Sequence, residues 1–149
     1  RKLNIGLSAS IFEPSFLKFI LAYYRAGKLP AGAMVKFYFG ADNLPFGMPP
    51  TPASLNAYLG MMGDCDLPWL VSSFNDDCVG CGIAEEAIRL GGHVQVGLEP
   101  YSGDRVPSNV ELVEEVVAIA KQYGRPIATP AMAAKMLNLP TYPVSYCKA

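Results

Sequence analysis

The sequence of 149 residues has the length of one ordinary domain, with 51% hydrophobic residues and a formal net charge of −1. Acidic and basic residues are interspersed, so the basic stripe typical of nucleic-acid-binding proteins is missing and that class is disfavoured. The longest apolar stretch, residues 16–24, is interrupted by Lys18 and is far shorter than the ~20 residues of a membrane helix. We therefore expect neither nucleic acid nor a membrane as a partner.

Four cysteines occur in the sequence, Cys65, Cys78, Cys81 and Cys147. In a chain with this much apolar core they do not indicate a disulfide framework, and we expect reduced thiols in a cytoplasmic protein. The CxxC pair formed by Cys78 and Cys81 is a weak signal alone, because a zinc site needs a second pair at the right spacing.

The first half of the sequence predicts two strand–helix units. A strand over residues 3–9 is followed by a helix over 14–26, and a strand over 34–39 by a loop rich in Gly and Pro at 40–50. A helix over 51–62 then begins with Thr as N-cap and Pro in its first turn, a pair typical of a helix start.

The second half repeats the pattern twice. Strands are predicted over 68–73 and 93–98, and the helix between them over 79–90. A capping box at 108–111 opens the next helix, and Thr-Pro opens a last helix over 130–137.

Apolar residues at helical spacing are expected to face inward on the first and fourth helices. We interpret the aromatic residues of the first helix as packing rather than as a cofactor site. The periodic positions of the first helix are Phe16, Leu17, Ile20, Leu21 and Tyr24, and its aromatic residues are Phe16, Phe19, Tyr23 and Tyr24. The inward positions of the fourth helix are Val110, Val113, Val117, Ile119 and Ala120.

Four strand–helix units in register imply a parallel sheet with crossover helices. Four units are half of a (β/α)8 (TIM) barrel of ~250 residues. We predict such a half-barrel over residues 1–139 and an irregular tail over 140–149. The alternative is an open four-stranded α/β sheet, but no predicted strand ends in a Gly-rich phosphate fingerprint.

The stretch from Gly91 to Glu99, GGHVQVGLE, is the most informative segment. Side chains alternate along a strand, so one face carries Val94, Val96 and Leu98 and the other carries Gln95, Gly97 and Glu99. The second face would point into a barrel, with Glu99 at the carboxyl rim where barrel active sites lie. Glu99 is then placed for metal ligation or acid–base work, with Gly97 leaving room for a ligand. The alternative is a loop carboxylate in a salt bridge.

Several motifs in the same order resemble the β-keto acid cleavage enzymes, the family of 3-keto-5-aminohexanoate cleavage protein. The resemblance covers residues 7 to about 139. Its motifs are Ile11-Phe12-Glu13, Phe46-Gly47-Met48-Pro49 with Thr51-Pro52, GGHVQVGLE, and the segments 107–113 and 124–130.

This resemblance implies that the chain is the C-terminal half of a (β/α)8 barrel that binds Zn²⁺ or another divalent metal. It implies cleavage of a β-keto acid with acetyl-CoA, giving acetoacetate and an acyl-CoA. Glu99 would be one metal ligand, and two histidines of a His-x-His motif would complete the set. The only histidine here is His93, so that pair would lie in an N-terminal half. A homo-oligomer is expected for the full-length protein.

The sequence departs from the family at several positions. Gln95 and Pro100 stand where many members carry Arg and Asp, and Ser8 and Ser10 stand where carboxylates are common. Gln has no charge and Pro has no base, so a different keto acid or a different general base is expected. We retain Ser8, Ser10, Gln95 and Gly97 as substrate-binding candidates.

Polar residues after the second and third strands are candidates for the missing base or for a substrate contact. Asp42 and Asn75 are retained as catalytic candidates, and Ser73 as a substrate contact. Asp42 has the alternative of an Asx turn in its loop. Asp76 and Asp77 more simply cap a helix.

His93 would start the strand that Glu99 ends, about 20 Å away at ~3.3 Å per residue, so it is expected to be structural. The apolar loop at 46–49 either closes over substrate or is a rigid, proline-stiffened loop. Two rival functions stay open: a half-barrel without catalysis of its own, and a lyase of the same fold that does not use CoA.

Overall fold

The computed structural model describes residues 5–139 of the protein. Within these residues the chain forms four strands: β1 (Ser8–Ile11), β2 (Met34–Gly40), β3 (Trp69–Phe74) and β4 (His93–Val94). The same range contains five helices: α1 (Pro14–Arg25), α2 (Pro52–Met62), α3 (Ile83–Arg89), α4 (Asn109–Gln122) and α5 (Pro130–Met136). The predicted tail over 140–149 lies outside the described residues.

The strands form one parallel sheet in the order β1-β2-β3-β4, and the prediction of sequential parallel pairing is confirmed. Parallel strands joined by right-handed crossovers place their helices on one side of the sheet. A sequential order with helices on one side is consistent with part of a barrel. These residues do not include the strands that would close one.

The core lies between the sheet and the helices α1, α2 and α3. We call this side of the sheet the helix-side face; it carries Ala9, Ile11, Val35, Phe37, Phe39, Val71 and Ser73. The residues between them point to the opposite side because side chains alternate along strands. This open face carries Ser8, Ser10, Met34, Lys36, Tyr38, Leu70, Ser72, Phe74 and His93.

Local capping signals predicted three helix starts correctly. The Thr51 side chain accepts the Ser54 amide at 3.2 Å, and the Thr129 side chain accepts the Met132 amide at 3.3 Å. At α4 both hydrogen bonds of the capping box are present. Each cap satisfies backbone N–H groups that lack a partner within the helix.

Strand boundaries differ from the prediction because they depend on the neighbouring strand. The first strand is predicted over 3–9, but β1 begins opposite Met34 and runs to Ile11. Just before it, a Cβ on Gly6 would lie 2.7 Å from the Gly32 carbonyl oxygen, so only glycine permits this approach. The fourth strand, predicted over 93–98, pairs with β3 only at His93 and Val94.

The third helix begins later than predicted. A turn over 77–82 comes first, with Cys81 N–H donating to the Asp77 carbonyl and Gly82 N–H to that of Val79, both within 3.0 Å. Gly82 then adopts a left-handed conformation with φ of 83°. Such a residue interrupts a helix, so α3 starts at Ile83 rather than near residue 79.

The predicted inward faces of α1 and α4 are only partly correct. Leu17 and Leu21 of α1 are buried, whereas Phe16 is exposed, and so is Phe19 of the aromatic set interpreted as packing. On α4 the buried residues are Leu112 and Ala120, whereas Val110 and Val113 are exposed. The exposed residues lie at the two edges of the sheet, where the described chain supplies no further strand–helix unit to cover them.

None of the helices formed by residues 5–139 has the length and apolar character needed to cross a membrane.

Candidate functional site

The loops after β2, β3 and β4 are tied together at the carboxyl edge of the sheet by Asn75. Its backbone N–H donates to the Pro100 carbonyl at 2.8 Å, and its side-chain amide donates to Asn43 Oδ1 at 2.8 Å. Asn75 has φ of 58°, a left-handed conformation that Asn adopts more readily than most residues. Asp42 and Glu99 are the chain neighbours of Asn43 and Pro100, so all three predicted catalytic residues lie on one rim.

Glu99 lies in the turn at 98–100, beyond the end of β4, and is exposed. The predicted alternation does not extend to it, because the β4 ladder ends at Val94. Leu98, predicted to lie on the apolar face with Val94 and Val96, is 51% exposed, and its N–H donates to Asn109 Oδ1 at 3.0 Å. The turn thus leaves the Glu99 carboxylate accessible at the rim.

The described residues supply at most part of a metal site. Between residues 5 and 139, no group of three His, Cys, Asp or Glu side chains could hold a metal ion. A zinc site normally has three or four protein ligands. Glu99 could therefore serve as one ligand of a zinc ion, and the remaining protein ligands would have to come from outside the described residues.

Asp42 is exposed in a turn at 41–44. The turn is closed by the backbone, with Leu44 N–H donating to the Ala41 carbonyl at 2.9 Å. No hydrogen bond of the Asp42 carboxylate is found within residues 5–139, so the Asx-turn alternative is not supported. The carboxylate is available for contact with a ligand at the rim.

The loop at 40–50 is held against the sheet rather than standing free of it. Gly40 N–H donates to the Met48 carbonyl at 3.0 Å, and Gly47 N–H donates to Glu13 Oε1 at 3.0 Å. The Phe46 ring meets Phe12 edge-on, with 5.6 Å between ring centroids. These contacts favour the rigid-loop alternative, and they assign Glu13 an anchoring role that the sequence pattern did not reveal.

Below the rim, the open face holds an aromatic group around Tyr38. Tyr38 stacks on Phe12 at 4.9 Å between centroids and meets Phe74 edge-on at 5.0 Å. Its hydroxyl donates to Gln95 Oε1 at 3.3 Å. Lys36 Nζ lies 5.1 Å from the centroid of the Tyr38 ring. Among the substrate-binding candidates, Ser8, Ser10 and Gln95 share this face, with both serines exposed at its edge.

Sequence reasoning missed Lys36 and Tyr38, although a signal was present. The second strand reads MVKFYFG. Its alternation places Lys36 and Tyr38 on one face of the sheet and Val35, Phe37 and Phe39 on the other.

The candidates Ser73 and Gly97 lie elsewhere. They line a small cavity on the helix-side face together with Cys78, Val96 and Leu112. A Cβ on Gly97 would contact only Asn109 Oδ1, at 3.5 Å, so space does not require glycine there. Its φ of 158°, however, is a backbone conformation that residues with a side chain rarely adopt. The substrate-binding candidates are therefore divided between the two faces of the sheet.

The pair Asp76 and Asp77 supports the rim but does not cap α3. Asp76 Oδ1 accepts the Asp77 N–H at 2.7 Å, and Asp77 Oδ1 accepts the amides of Val79 and Gly80 at 3.0 and 2.9 Å. These hydrogen bonds stabilise the turn before α3. The prediction that Asp76 and Asp77 cap the helix is therefore wrong, because the helix begins only at Ile83.

Arg105 connects the loop after β3 to helix α4. Its guanidinium pairs with Asp77 Oδ2 at 2.7 Å and also with Glu115. Partial burial raises the pKa of Asp77, but the Gly80 amide and the Arg105 guanidinium outweigh it and hold that pKa below its ordinary value. Asp77 is an ionised structural carboxylate, which makes it a poor proton acceptor.

The remaining reactive side chains are structural. Burial raises the pKa of Cys78 to about 12 and also raises that of Cys81, so neither thiol is a ready nucleophile. Burial, together with the positive charge of Arg125, lowers the pKa of His93. Arg125 itself donates to the carbonyls of Ile88 and Gly92 and so fixes the amino end of β4.

The fold and the rim together define a class: a parallel strand–helix protein with exposed carboxylates and amides at the carboxyl edge of its sheet. The family model of the beta-keto acid cleavage enzyme matches residues 1–139. The chain belongs to this family.

Relatives agree with this assignment. The 3-keto-5-aminohexanoate cleavage enzyme of Acetoanaerobium sticklandii is 33% identical over 145 residues, covering 93% of this chain and 50% of the relative. The 3-oxoadipate:acetyl-CoA acetyltransferase of Cupriavidus necator is 31% identical over 136 residues, covering 87% and 46%. A 3-keto-5-aminohexanoate cleavage enzyme of Fusobacterium nucleatum is 49% identical over 61 residues, covering 38% and 22%. The chain spans about half the length of the first two.

Proposed function

We propose that the full-length protein cleaves a β-keto acid with acetyl-CoA, releasing acetoacetate and a new acyl-CoA, and that it depends on zinc or another divalent metal. The observation that carries this proposal is the Asn75 bridge, which joins the Asp42 and Glu99 loops at one rim. Membership of the family supports it, as does the name of the acetyltransferase relative, which pairs a β-keto acid with acetyl-CoA.

We further propose that the complete protein closes as a (β/α)8 barrel, of which this chain is the C-terminal half. The sequential parallel order of β1 to β4 supports it, and so does the coverage of about half of two relatives. The rim at the carboxyl ends of the strands is where barrel enzymes place their active sites. A cytoplasmic location and a homo-oligomeric full-length protein stay predictions.

The exchange balances as two acyl transfers. The β-keto acid loses a proton from C2, and C2 bonds to the acetyl carbonyl carbon while the C–S bond of acetyl-CoA breaks. The released thiolate then bonds to C3 of the original keto acid as the C2–C3 bond breaks. The electron pair of that bond returns to C2, which is protonated to give acetoacetate. A base and an acid are needed at the rim, but no oxidant or reductant.

Asp42 is the residue that we propose as the general base. It is an exposed rim carboxylate without a hydrogen bond to other described residues. The other two candidate carboxylates are engaged: Asp76 accepts a hydrogen bond from the Asp77 backbone N–H, and Asp77 forms an ion pair with Arg105. Pro100 has no side-chain base, and its carbonyl is occupied by Asn75. We assign Asn75 the second role of a hydrogen-bond donor to substrate, through the N–H of its amide that Asn43 does not accept.

Glu99 is proposed as the metal ligand of this half. A divalent ion bound there would polarise the keto oxygen as a Lewis acid. The accessible carboxylate in the turn at 98–100 fits a ligand role better than a salt bridge, since the ion pairs between described residues do not include Glu99.

The test uses the purified full-length protein with acetyl-CoA and a panel of β-keto acids, and measures acetoacetate and acyl-CoA by mass spectrometry. We expect both products in equal amounts, and none without acetyl-CoA. Asp42→Asn should reduce kcat by at least about 100-fold, the usual contribution of a general base, whereas Asp104→Asn, at an exposed position of the loop between β4 and α4, should not. Cleavage without acetyl-CoA would identify a lyase and contradict the proposal.

A further inference from the structure

The open face carries a positive charge that the proposed reaction has not yet used. Among the strand residues described on that face, Lys36 is the one with a formal charge. None of the ion pairs between described residues includes it. The lowered pKa of His93, which starts β4 in the same row, keeps that imidazole neutral at pH 7.

The ammonium group of Lys36 has a defined position rather than a free one. It lies 5.1 Å from the centroid of the Tyr38 ring, within the range of a cation–π interaction. Tyr38 is in turn held by the Phe12 stack and by its hydrogen bond to Gln95. Because Tyr38 is two residues further along β2, the Lys36 side chain leans toward the carboxyl end of the sheet, where the rim lies.

The groups around this charge are neutral and polar. Ser10 is the register partner of Lys36 on β1, and it is exposed on the same face. On the other side, Ser72 is the register partner of Tyr38, and its buried hydroxyl has no hydrogen-bond partner among the described residues. Buried hydroxyls are nearly always hydrogen-bonded, so the unsatisfied Ser72 hydroxyl leaves a hydrogen-bonding position open on the face that also carries Lys36. Ser73, on the helix-side face, is likewise unsatisfied among the described residues.

We propose that Lys36, with Ser10, Tyr38 and Gln95 around it, binds a second carboxylate of the β-keto acid, so that the preferred substrate is a keto diacid. Because the described residues of this face include no carboxylate to neutralise it, the ammonium attracts a substrate whose side chain ends in a carboxylate. It repels a substrate of equal length whose side chain ends in an amino group. The hydroxyl of Ser10 and the side-chain NH2 group of Gln95 can each donate to carboxylate oxygens, while Tyr38, whose own hydroxyl donates to Gln95 Oε1, holds the Lys36 ammonium and the Gln95 amide in place. This inference rests on the proposed function, because it names the substrate class of the same site.

The test compares two β-keto acids of equal length in the full-length protein. The diacid is 3-oxoadipate and the monoacid is 3-oxohexanoate, and kcat/KM is measured for each with acetyl-CoA. We expect the diacid to be preferred, and Lys36→Met to reduce the diacid-to-monoacid ratio by about 10- to 100-fold, the loss expected for a hydrogen bond to a charged group. Lys36→Arg should restore most of the ratio. Lys18→Met, at an exposed position of α1, is the matched control and should leave it unchanged.

Binding without turnover separates the two proposals. Adipate and hexanoate are titrated calorimetrically against the wild-type protein and Lys36→Met. Loss of adipate binding in the variant supports the carboxylate site, and it does so even if no β-keto acid is cleaved, an outcome that would overturn the proposed function alone. Equal kcat/KM for the two keto acids in the wild type, an equal decrease for both in Lys36→Met, or no adipate binding to the wild type would overturn the Lys36 site.

Discussion

The centre of the sheet and its two edges differ sharply in how well they are packed. At the centre, β2 and β3 have a neighbour on each side, and Phe37, Phe39 and Tyr58 are fully buried. At the edges, Phe19 of α1 is 64% exposed and Val110 of α4 is 64% exposed. Monomeric domains rarely leave contiguous apolar surface uncovered. Among the described residues, therefore, the centre of the sheet is fully packed while apolar side chains at its two edges are uncovered.

The largest effect is expected at the centre. The Phe37 ring is fully buried and stacks on Tyr58 with 4.8 Å between centroids. Phe37→Ala should therefore lower the free energy of unfolding of the full-length protein by about 3–5 kcal/mol, the usual cost of a large core truncation. Denaturant unfolding measures it.

Phe19→Ala is the control for that substitution, since it makes the same change at an edge. Its cost should stay near 1–2 kcal/mol in the full-length protein, because a neighbouring unit would cover only part of the ring. Equal losses for the two variants would remove the distinction between centre and edge.

The edges should govern the behaviour of the 149-residue chain on its own. Unpaired outer strands and exposed apolar side chains favour association between copies. We expect concentration-dependent oligomers in sedimentation velocity, reduced when Phe19 and Val113 are both replaced by Glu. A wild-type chain that stays monomeric at all concentrations would show that the edges need no cover.

A smaller effect concerns the contact between the loop after β3 and helix α4. The pKa of Asp77 is lowered in the folded protein from its ordinary value of 3.8. Ionised Asp77 therefore stabilises the fold at pH values above that ordinary pKa. This stabilisation is lost as the pH falls through the depressed folded value. Arg105→Met should therefore lower the urea midpoint of unfolding at pH 7, and should lower it by a smaller amount at pH 3. Shifts of equal size at both pH values would show that Asp77 ionisation is not the cause.

Local signals in the sequence predicted the parts of the fold that depend on local chemistry. The caps at Thr51, Ser108 and Thr129 place helix starts correctly because each cap binds amides within three residues of itself. The end of β4 could not be predicted in this way. A strand ends where its ladder with the neighbouring strand ends, and the GGHVQVGLE pattern contains no information about that neighbour.

In the candidate site, too, features with a local sequence signal could be predicted and features that depend on tertiary contacts could not. Asp42, Asn75 and Glu99 could be assigned to one rim because each follows a predicted strand. The bridge through Asn75 and the pairing of Arg105 with Asp77, which are 28 residues apart, depend on tertiary structure and have no local signal. Helical periodicity marked Phe16 and Val113 as apolar positions, but it could not show that both side chains are exposed among the described residues.

The most direct test of the account is the metal content of the full-length protein and of its Glu99→Gln variant, measured together with acetoacetate formation. The substitution keeps the shape of the side chain and removes its charge. We predict stoichiometric zinc and turnover in the wild type, and low zinc and no turnover in the variant, with an unchanged unfolding midpoint. Full zinc occupancy and near-normal turnover in Glu99→Gln would contradict the assignment of Glu99 as a metal ligand, and with it the proposed chemistry of the rim.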